Sequence, residues 1–472
     1  MASTEPLSDR TWRGPFAHGP ADPERVLVTI AMVSTLGALL FGFDTGVISG
    51  ALVFMRDSLH LTPTTEGVVV SSLLLGAAAG AWLGGKLADT LGRRRTIRIA
   101  AVVFCLGALG SALAPSLALM LPARVILGLA VGCASVTVPV YISELAPAHR
   151  RGRLVTQNEL MIVTGQLLAY VSNAVIDNVW GGQSTWRWML GIAAFPAVLL
   201  WLGVLLLPDT PRWYAIQGRY TEAAHVLERT REQNEVAQEF EQIRATAERD
   251  RQEEKGGWAD LLTPWIRRLF YIGLGIGICQ QITGINTVMY YAPTILQKTG
   301  LGAGASLTAT ISVGVISVIM TFVGIALLGR VNRRPMLLAG QIGTTSSLLL
   351  IGLAFLLPES TTRSYLVLLF MLVFVASQQC AISTVTWLML SEIFPMKIRG
   401  FGMGIATLVT WVVNFGVSLL FPIFNSAAGP TLTFLTLVAF GIATITFTVK
   451  VLPETKGLSL EALEDHFRER YA

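Results

Sequence analysis

Apolar runs of roughly 20 residues recur along almost the whole of this 472-residue chain. Each is long enough to cross about 30 Å of hydrocarbon as a helix. In hydrocarbon no water is available to the backbone, so only helices and closed barrels span it. Alternation with period 2 is absent, which excludes a barrel. Charged residues make up 14% of the chain, against about 25% in a soluble domain. The pattern predicts an all-α integral membrane protein with twelve spans: 26–55, 66–88, 96–114, 118–142, 155–178, 185–207, 267–297, 305–329, 335–357, 363–391, 399–425 and 429–452.

Positive charge orients these spans. Four short loops on one side, with the span ends next to them, hold thirteen Lys/Arg, among them Arg93, Arg94, Arg95, Arg151, Arg333, Arg334 and Arg399. The six loops on the other side hold four: Arg56, Arg187, Lys298 and Arg363. The excess marks the cytoplasmic face and places both termini there, in a plasma (inner) membrane. The net charge of +5 therefore reflects topology and does not point to nucleic acid. Cys105, Cys133, Cys279 and Cys380 fall inside apolar spans and read as core residues rather than disulfides or metal ligands. The first 25 residues are polar, so no cleavable signal is expected.

One motif is written twice. Glu144 to Gly152 and Glu392 to Gly400 share the spacing E-x-x-P-x-x-x-R-G, 248 residues apart. Asp89 to Arg94 is echoed 240 residues later by Gly329 to Arg334, and Pro208-Asp209-Thr210 returns as Pro453-Glu454-Thr455. Such pairing argues for two six-helix halves related by an axis along the membrane normal. The expected organisation is a cytoplasmic tail (1–25), an N-terminal half (26–207), a cytoplasmic helical linker (208–266), a C-terminal half (267–452) and a second tail (453–472). In the linker, Ala223, Val226, Leu227, Val236, Phe240 and Ile243 are the candidate buried positions. Acids and arginines at the cytoplasmic ends of neighbouring helices suit a gate. The candidates are Asp89, Arg93, Arg94, Glu144, Arg151, Asp209, Arg333, Arg334, Glu392, Arg399 and Glu454. The second loop has Gly329 for Asp89 and Asn332 for Gly92, so that half should lean on Glu392 and Glu454. Glu159, near the cytoplasmic start of the fifth span, reads as a gate or interface residue.

Among the acids only Asp44 lies well inside a span, and among the basic residues only Arg124. Either would cost roughly 3 kcal/mol alone in hydrocarbon. Each lies 18 residues from the inner end of its span, so the two share a depth and a direct pair is possible. A static ion pair is one reading. A proton site is the other, because an Asp beside Arg stays ionised and one left alone in an apolar site takes up a proton.

Neutral amides near mid-span offer donors and acceptors together, and tryptophans offer a flat apolar face. The candidates are Gln166, Gln280, Gln281, Asn286, Asn414, Trp387 and Trp411. Gln281 and Asn286 are five apart and do not align on a regular helix, but Gly284 between them suggests a broken one.

From residue 26 to 457 the chain resembles the sugar porter family of the major facilitator superfamily. The resemblance rests on Phe41-Gly-Phe-Asp44-Thr-Gly-Val-Ile-Ser-Gly50, the Asp89 to Arg95 loop, both E-x-x-P-x-x-x-R-G marks, Pro208 to Arg212, Gln280-Gln281-Ile-Thr-Gly-Ile-Asn286 and Pro453 to Gly457. It implies the major facilitator fold and a bacterial sugar–proton or myo-inositol–proton symporter. It further implies that Gln166, Gln280, Gln281, Asn286 and Trp387 contact the sugar, that Phe41 and Tyr290 line the pocket or gate, and that Asp44 marks proton coupling. Ser317, Thr410, Gln378 and Ser383 stand where relatives often carry Asn, Gln or Asn, Phe, and Gly. These departures leave a hexose, a pentose and a cyclitol equally open.

The expected function is import of a monosaccharide or cyclic polyol by proton symport through alternating access. The partners are the solute, protons and the bilayer; the functional unit is a monomer, and the proton is the coupling ion with no further cofactor. A facilitative uniporter and a transporter-like nutrient sensor are the alternatives. Asp44 argues against the first, and short tails against the second. No metal-ligand cluster, nucleophile motif or phosphate loop points to an enzyme.

Overall fold

The computed structural model describes residues 22–252, 258–395 and 398–456. Among them the chain is helical, with no strand. The N-terminal half contains α1 (Pro23–Ser58), α2 (Pro63–Leu91), α3 (Arg93–Leu113), α4 (Leu117–Leu145), α5 (Ala148–Trp180), α6 (Thr185–Gly191) and α7 (Ala194–Leu205). The linker holds α8 (Pro211–Ile216), α9 (Tyr220–Thr230) and α10 (Val236–Gln252). The C-terminal half contains α11 (Pro264–Ile282), α12 (Ile285–Gln297), α13 (Ala303–Leu328), α14 (Arg333–Ala354), α15 (Thr361–Ser377), α16 (Thr384–Ile393) and α17 (Arg399–Lys450).

These elements make the twelve expected crossings, but five of those crossings depart from a single separate helix. The sixth is divided between α6 and α7, and the seventh between α11 and α12. The tenth joins α15 to α16 through a π turn at Gln378–Ser383. The eleventh and twelfth run together as α17 and are separated only at Gly429, whose φ of 79° is left-handed and interrupts the helix ahead of Pro430. The terminal tails, 1–21 and 457–472, lie outside the described residues.

Within each half the helices approach through glycine, as expected where lipid gives no hydrophobic drive to pack. A Cβ on Gly132 of α4 would lie 1.9 Å from the carbonyl oxygen of Ala77 on α2, and one on Gly128 would lie 2.0 Å from that of Leu73. The α1–α5 contact is equally close: a Cβ on Gly42 would meet the Ile162 carbonyl oxygen at 1.7 Å, and one on Gly165 the Leu39 carbonyl oxygen at 2.2 Å. Asp44 and Gln166 are neighbours of these two glycines, so the same close approach sets the position of both side chains.

The linker packs on the N-terminal half. Arg231 donates to the Leu145 carbonyl and pairs with Glu239, and the Trp213 indole donates to the Asp89 carbonyl at 3.0 Å. Ala223, Val226, Leu227 and Ile243 are buried as expected, with Val236 and Phe240 half-buried against them.

The halves meet on the outer side. The Tyr170 hydroxyl on α5 donates to the Met289 carbonyl on α12 at 3.2 Å. A Cβ on Gly67 of α2 would lie 2.4 Å from the Leu419 carbonyl oxygen on α17, and one on Gly314 of α13 would lie 2.9 Å from Leu167 on α5. These contacts close the outer mouth.

Gly132→Val forces a branched side chain into the α2 backbone and should cost about 1–3 kcal/mol or more. The control is Gly85→Val, at a position with nothing within 4 Å of the added Cβ. Thermal unfolding in detergent should show a clearly lower Tm for the first and little change for the second.

Candidate transport site

Asp44 and Arg124, the two charges expected well inside their spans, meet. Arg124 Nη1 donates to Asp44 Oδ1 at 2.8 Å, and the residues are 0% and 2% exposed. In so apolar a setting each charge needs the other: removing one partner of a buried pair typically costs about 3–5 kcal/mol. The pair is not sealed within its own half. The Tyr290 hydroxyl of α12 has Asp44, Arg124, Thr45 and Asn414 as its polar surroundings, and it forms no hydrogen bond of good geometry. A change of charge at Asp44 is therefore felt directly by the opposite half.

Next to this pair lies a group of amides. Gly284, with φ 82°, ends α11 and starts α12, and across this break the Asn286 amide donates to Gln281 Oε1 at 3.0 Å. A left-handed φ is costly for any residue with a Cβ, so the break depends on glycine at 284. Gln378, in the π turn, donates its amide to the Gln280 carbonyl at 3.2 Å. Phe41 and Trp411 meet edge to face, with ring centroids 5.6 Å apart, one from each half. Several buried polar atoms here have no partner: Gln166 Oε1, Gln280 Oε1, Gln378 Oε1, Tyr290 Oη and Asn414 Nδ2. An unmet buried polar atom costs about 1–3 kcal/mol. The five lie on five elements, α5, α11, α12, the π turn and α17.

Not every expected residue contributes in this way. Ser317 and Thr410 donate their hydroxyls to the carbonyls of Val313 and Ala406 on their own helices, each at 2.8 Å. A hydroxyl in hydrocarbon takes the nearest carbonyl, and these two have done so. Trp387 remains 37% exposed on α16. Gln379 was missed; it is buried in the π turn with Oε1 unpartnered. The Gln378-Gln379 doublet was its only signal in the sequence.

The charges at the arginine-rich helix ends form two matching networks, and the pairs seen among the described residues lie within one half each. In the first, Arg93 pairs with Glu144 at 3.0 Å and with the exposed Asp89 at 3.2 Å, and donates to the Ala88 carbonyl. Asp209 accepts the Arg94 amide at 2.9 Å, and Thr210 donates to Glu144. In the second, Arg333 pairs with Glu392 at 3.4 Å and donates to the Leu328 carbonyl. Glu454 accepts the Arg333 and Arg334 amides at 3.0 and 3.1 Å, and Thr455 donates to Glu392. Arg94 and Arg334 each send Nη2 back to a helix-end carbonyl, Leu205 and Val449. Thr210 and Thr455 are additions, and the repeated Pro-acid-Thr triplet was the signal for them. Burial pushes the Asp209 carboxyl above the usual carboxylate range, opposed by the Arg94 amide and by the charges of Arg94, Arg93 and Arg95. Arg399 donates to the Phe394 carbonyl at 3.3 Å. The Arg151 side chain lies outside the described residues.

Two six-helix halves in contact and a buried charge pair facing both of them describe a membrane transporter rather than an enzyme. The family model for sugar (and other) transporters matches residues 30–467, and the chain belongs to that family. It is 51% identical over 446 residues to the major myo-inositol transporter IolT of Bacillus subtilis (strain 168), covering 94% of each chain. It matches the xylose transporter XylE from E. coli in a partially occluded inward open conformation with a TM-score of 0.82 and 30% identity, over 92% of this chain and 100% of that one. Against the proton:xylose symporter XylE bound to 6-bromo-6-deoxy-D-glucose the TM-score is 0.77, at 31% identity over 94% and 100%.

Arg93→Ala leaves the nearly buried Glu144 with Thr210 as its one remaining partner among the described residues, and should destabilise by about 2 kcal/mol or more. Arg95→Ala, at an exposed neighbour, should cost under about 0.5 kcal/mol. Thermal unfolding of the two variants in detergent separates these outcomes.

Proposed function

We propose that the chain imports a monosaccharide or cyclic polyol together with a proton, by alternating exposure of one central site. The observation that carries this reading is the buried Asp44–Arg124 pair set against Tyr290 of the other half, beside a lining of unmet amides. The Arg124 guanidinium offsets the cost of burying a carboxylate at Asp44. Protonation of Asp44 releases Arg124, so the proton and the relative position of the halves depend on each other. Solute hydroxyls complete the amides of α11, α12 and the π turn, and the Phe41–Trp411 contact closes over an apolar ring face. The names of IolT and XylE support a cyclitol or aldose as cargo, and that of XylE supports the proton as coupling ion. The protein works as a monomer in the plasma membrane with both termini in the cytoplasm, and the matched arginine–glutamate networks act as inner latches.

Uptake into proteoliposomes, with labelled hexoses, pentoses and myo-inositol, tests this. An inward proton gradient should drive accumulation of at least one solute; a complete lack of gradient-driven accumulation would sink the symport reading and leave a uniporter. Asp44→Asn should keep binding and exchange but lose concentrative uptake. If that variant accumulates solute normally, Asp44 is purely structural. Gln281→Ala and Asn286→Ala each remove about 1–2 kcal/mol of hydrogen bonding, and should raise KM about 5- to 30-fold. An unchanged KM in both would move the site elsewhere.

A further inference from the structure

A cavity with both polar and apolar lining lies in the seam between the halves, and none of the amides expected to contact the solute lines it. Its volume is about 200 Å³, room for roughly six waters at about 30 Å³ each. Both halves line it: Arg56 and Glu66 from α1 and α2, Lys298 from the end of α12, and Phe421, Asn425 and Ser426 from α17. Glu66 is 2% exposed. One of its oxygens accepts from Arg56 at 2.6 Å, while Oε1 has no partner. Asn425 is also buried, with Oδ1 unpartnered. Across the seam the half-buried Lys298 amino group makes no hydrogen bond or ion pair among the described residues. Burial lowers its pKa, as does Arg56, and Glu66 opposes them. Beneath these groups Tyr291 and Phe421 stack, with ring centroids 5.4 Å apart.

We propose that this outer seam is a second binding site for a small polyhydroxylated molecule, and that its occupancy holds the outer mouth closed. A vicinal diol answers the chemistry of the cavity. One hydroxyl donates to the unmet carboxylate oxygen or to Asn425, and a neighbouring oxygen accepts from Lys298. The C–H face of the same molecule rests on the apolar rings. A simple anion would meet Lys298 but would face the Glu66 carboxylate. The site exists only while the halves touch on the outside, so whatever binds there favours the inward-facing state by linkage. The inference takes its ligand class from the proposed transport function but uses none of the central residues. Solute at high outside concentration should therefore slow its own uptake.

The test is protection of Ser426→Cys, an exposed position on the cavity wall, from a membrane-impermeant maleimide added outside. Labelling of the protein without that change is the blank. Outside myo-inositol or D-glucose should slow labelling several-fold, and should still do so with Gln280→Ala and Asn286→Ala present to disable the central site. Lys298→Met, which removes no hydrogen bond made by its amino group, and Glu66→Gln should each weaken protection about tenfold. Lys298→Met should also relieve the inhibition of uptake at high solute. Equilibrium binding to the unmutated protein should reach two solutes per chain. The proposal is overturned if neither solute protects, if Lys298→Met and Glu66→Gln are protected as well as the parent, or if protection needs the central amides. Protection without any uptake would discard the transport reading and keep this site; uptake without protection would do the reverse.

Discussion

Water is absent from the hydrocarbon layer, so a polar atom there must find its partner in the protein or in what the protein carries. That constraint forces the backbone into helices that satisfy themselves and leaves side chains as the only polar variables. It also gives meaning to the few places where satisfaction fails. The unmet amides of Gln166, Gln280 and Gln378 and the hydroxyl of Tyr290 share the central region with the one deep charge pair, Asp44–Arg124. Hydroxyls that do not serve this region, such as those of Ser317 and Thr410, are spent on their own helices.

The duplicated networks show how one arrangement can be built twice and used unequally. Arg93, Glu144, Asp209 and Thr210 correspond one for one with Arg333, Glu392, Glu454 and Thr455. Each network ties helix ends within one half, so each half moves as a unit. The first copy has an extra acid in Asp89, and the linker docks on that half through Trp213 and Arg231. The two networks are therefore braces within the halves, and the halves touch one another elsewhere, at Tyr170 and Met289, Gly67 and Leu419, and Gly314 and Leu167.

Much of this was legible in the residues. Hydropathy gave the twelve crossings, and the repeated E-x-x-P-x-x-x-R-G mark gave the two halves. Equal depth gave the Asp44–Arg124 pair, and Gly284 between Gln281 and Asn286 gave the helix break. The π turn at Gln378–Ser383 was not legible, because a one-residue change in helical register leaves no mark in composition. Gln379 was missed for that reason. The spent hydroxyls of Ser317 and Thr410 were also hidden, since the competition between a ligand and the carbonyl four residues back is settled by side-chain rotamer.

What the sequence by itself determined is the solvent of the chain and its local form. Long apolar runs demand a bilayer, positive loops orient it, glycine at 284 permits a left-handed break, and two lone charges at one depth demand each other. What only the tertiary structure decided is which half each group answers to. The latch arginines bind acids of their own half, Tyr290 reaches the Asp44 pair of the other half, and Glu66 faces Lys298 across the outer seam. The physical reason is that hydropathy and spacing act along one helix, whereas pairing across a seam depends on how closely two rigid bodies approach.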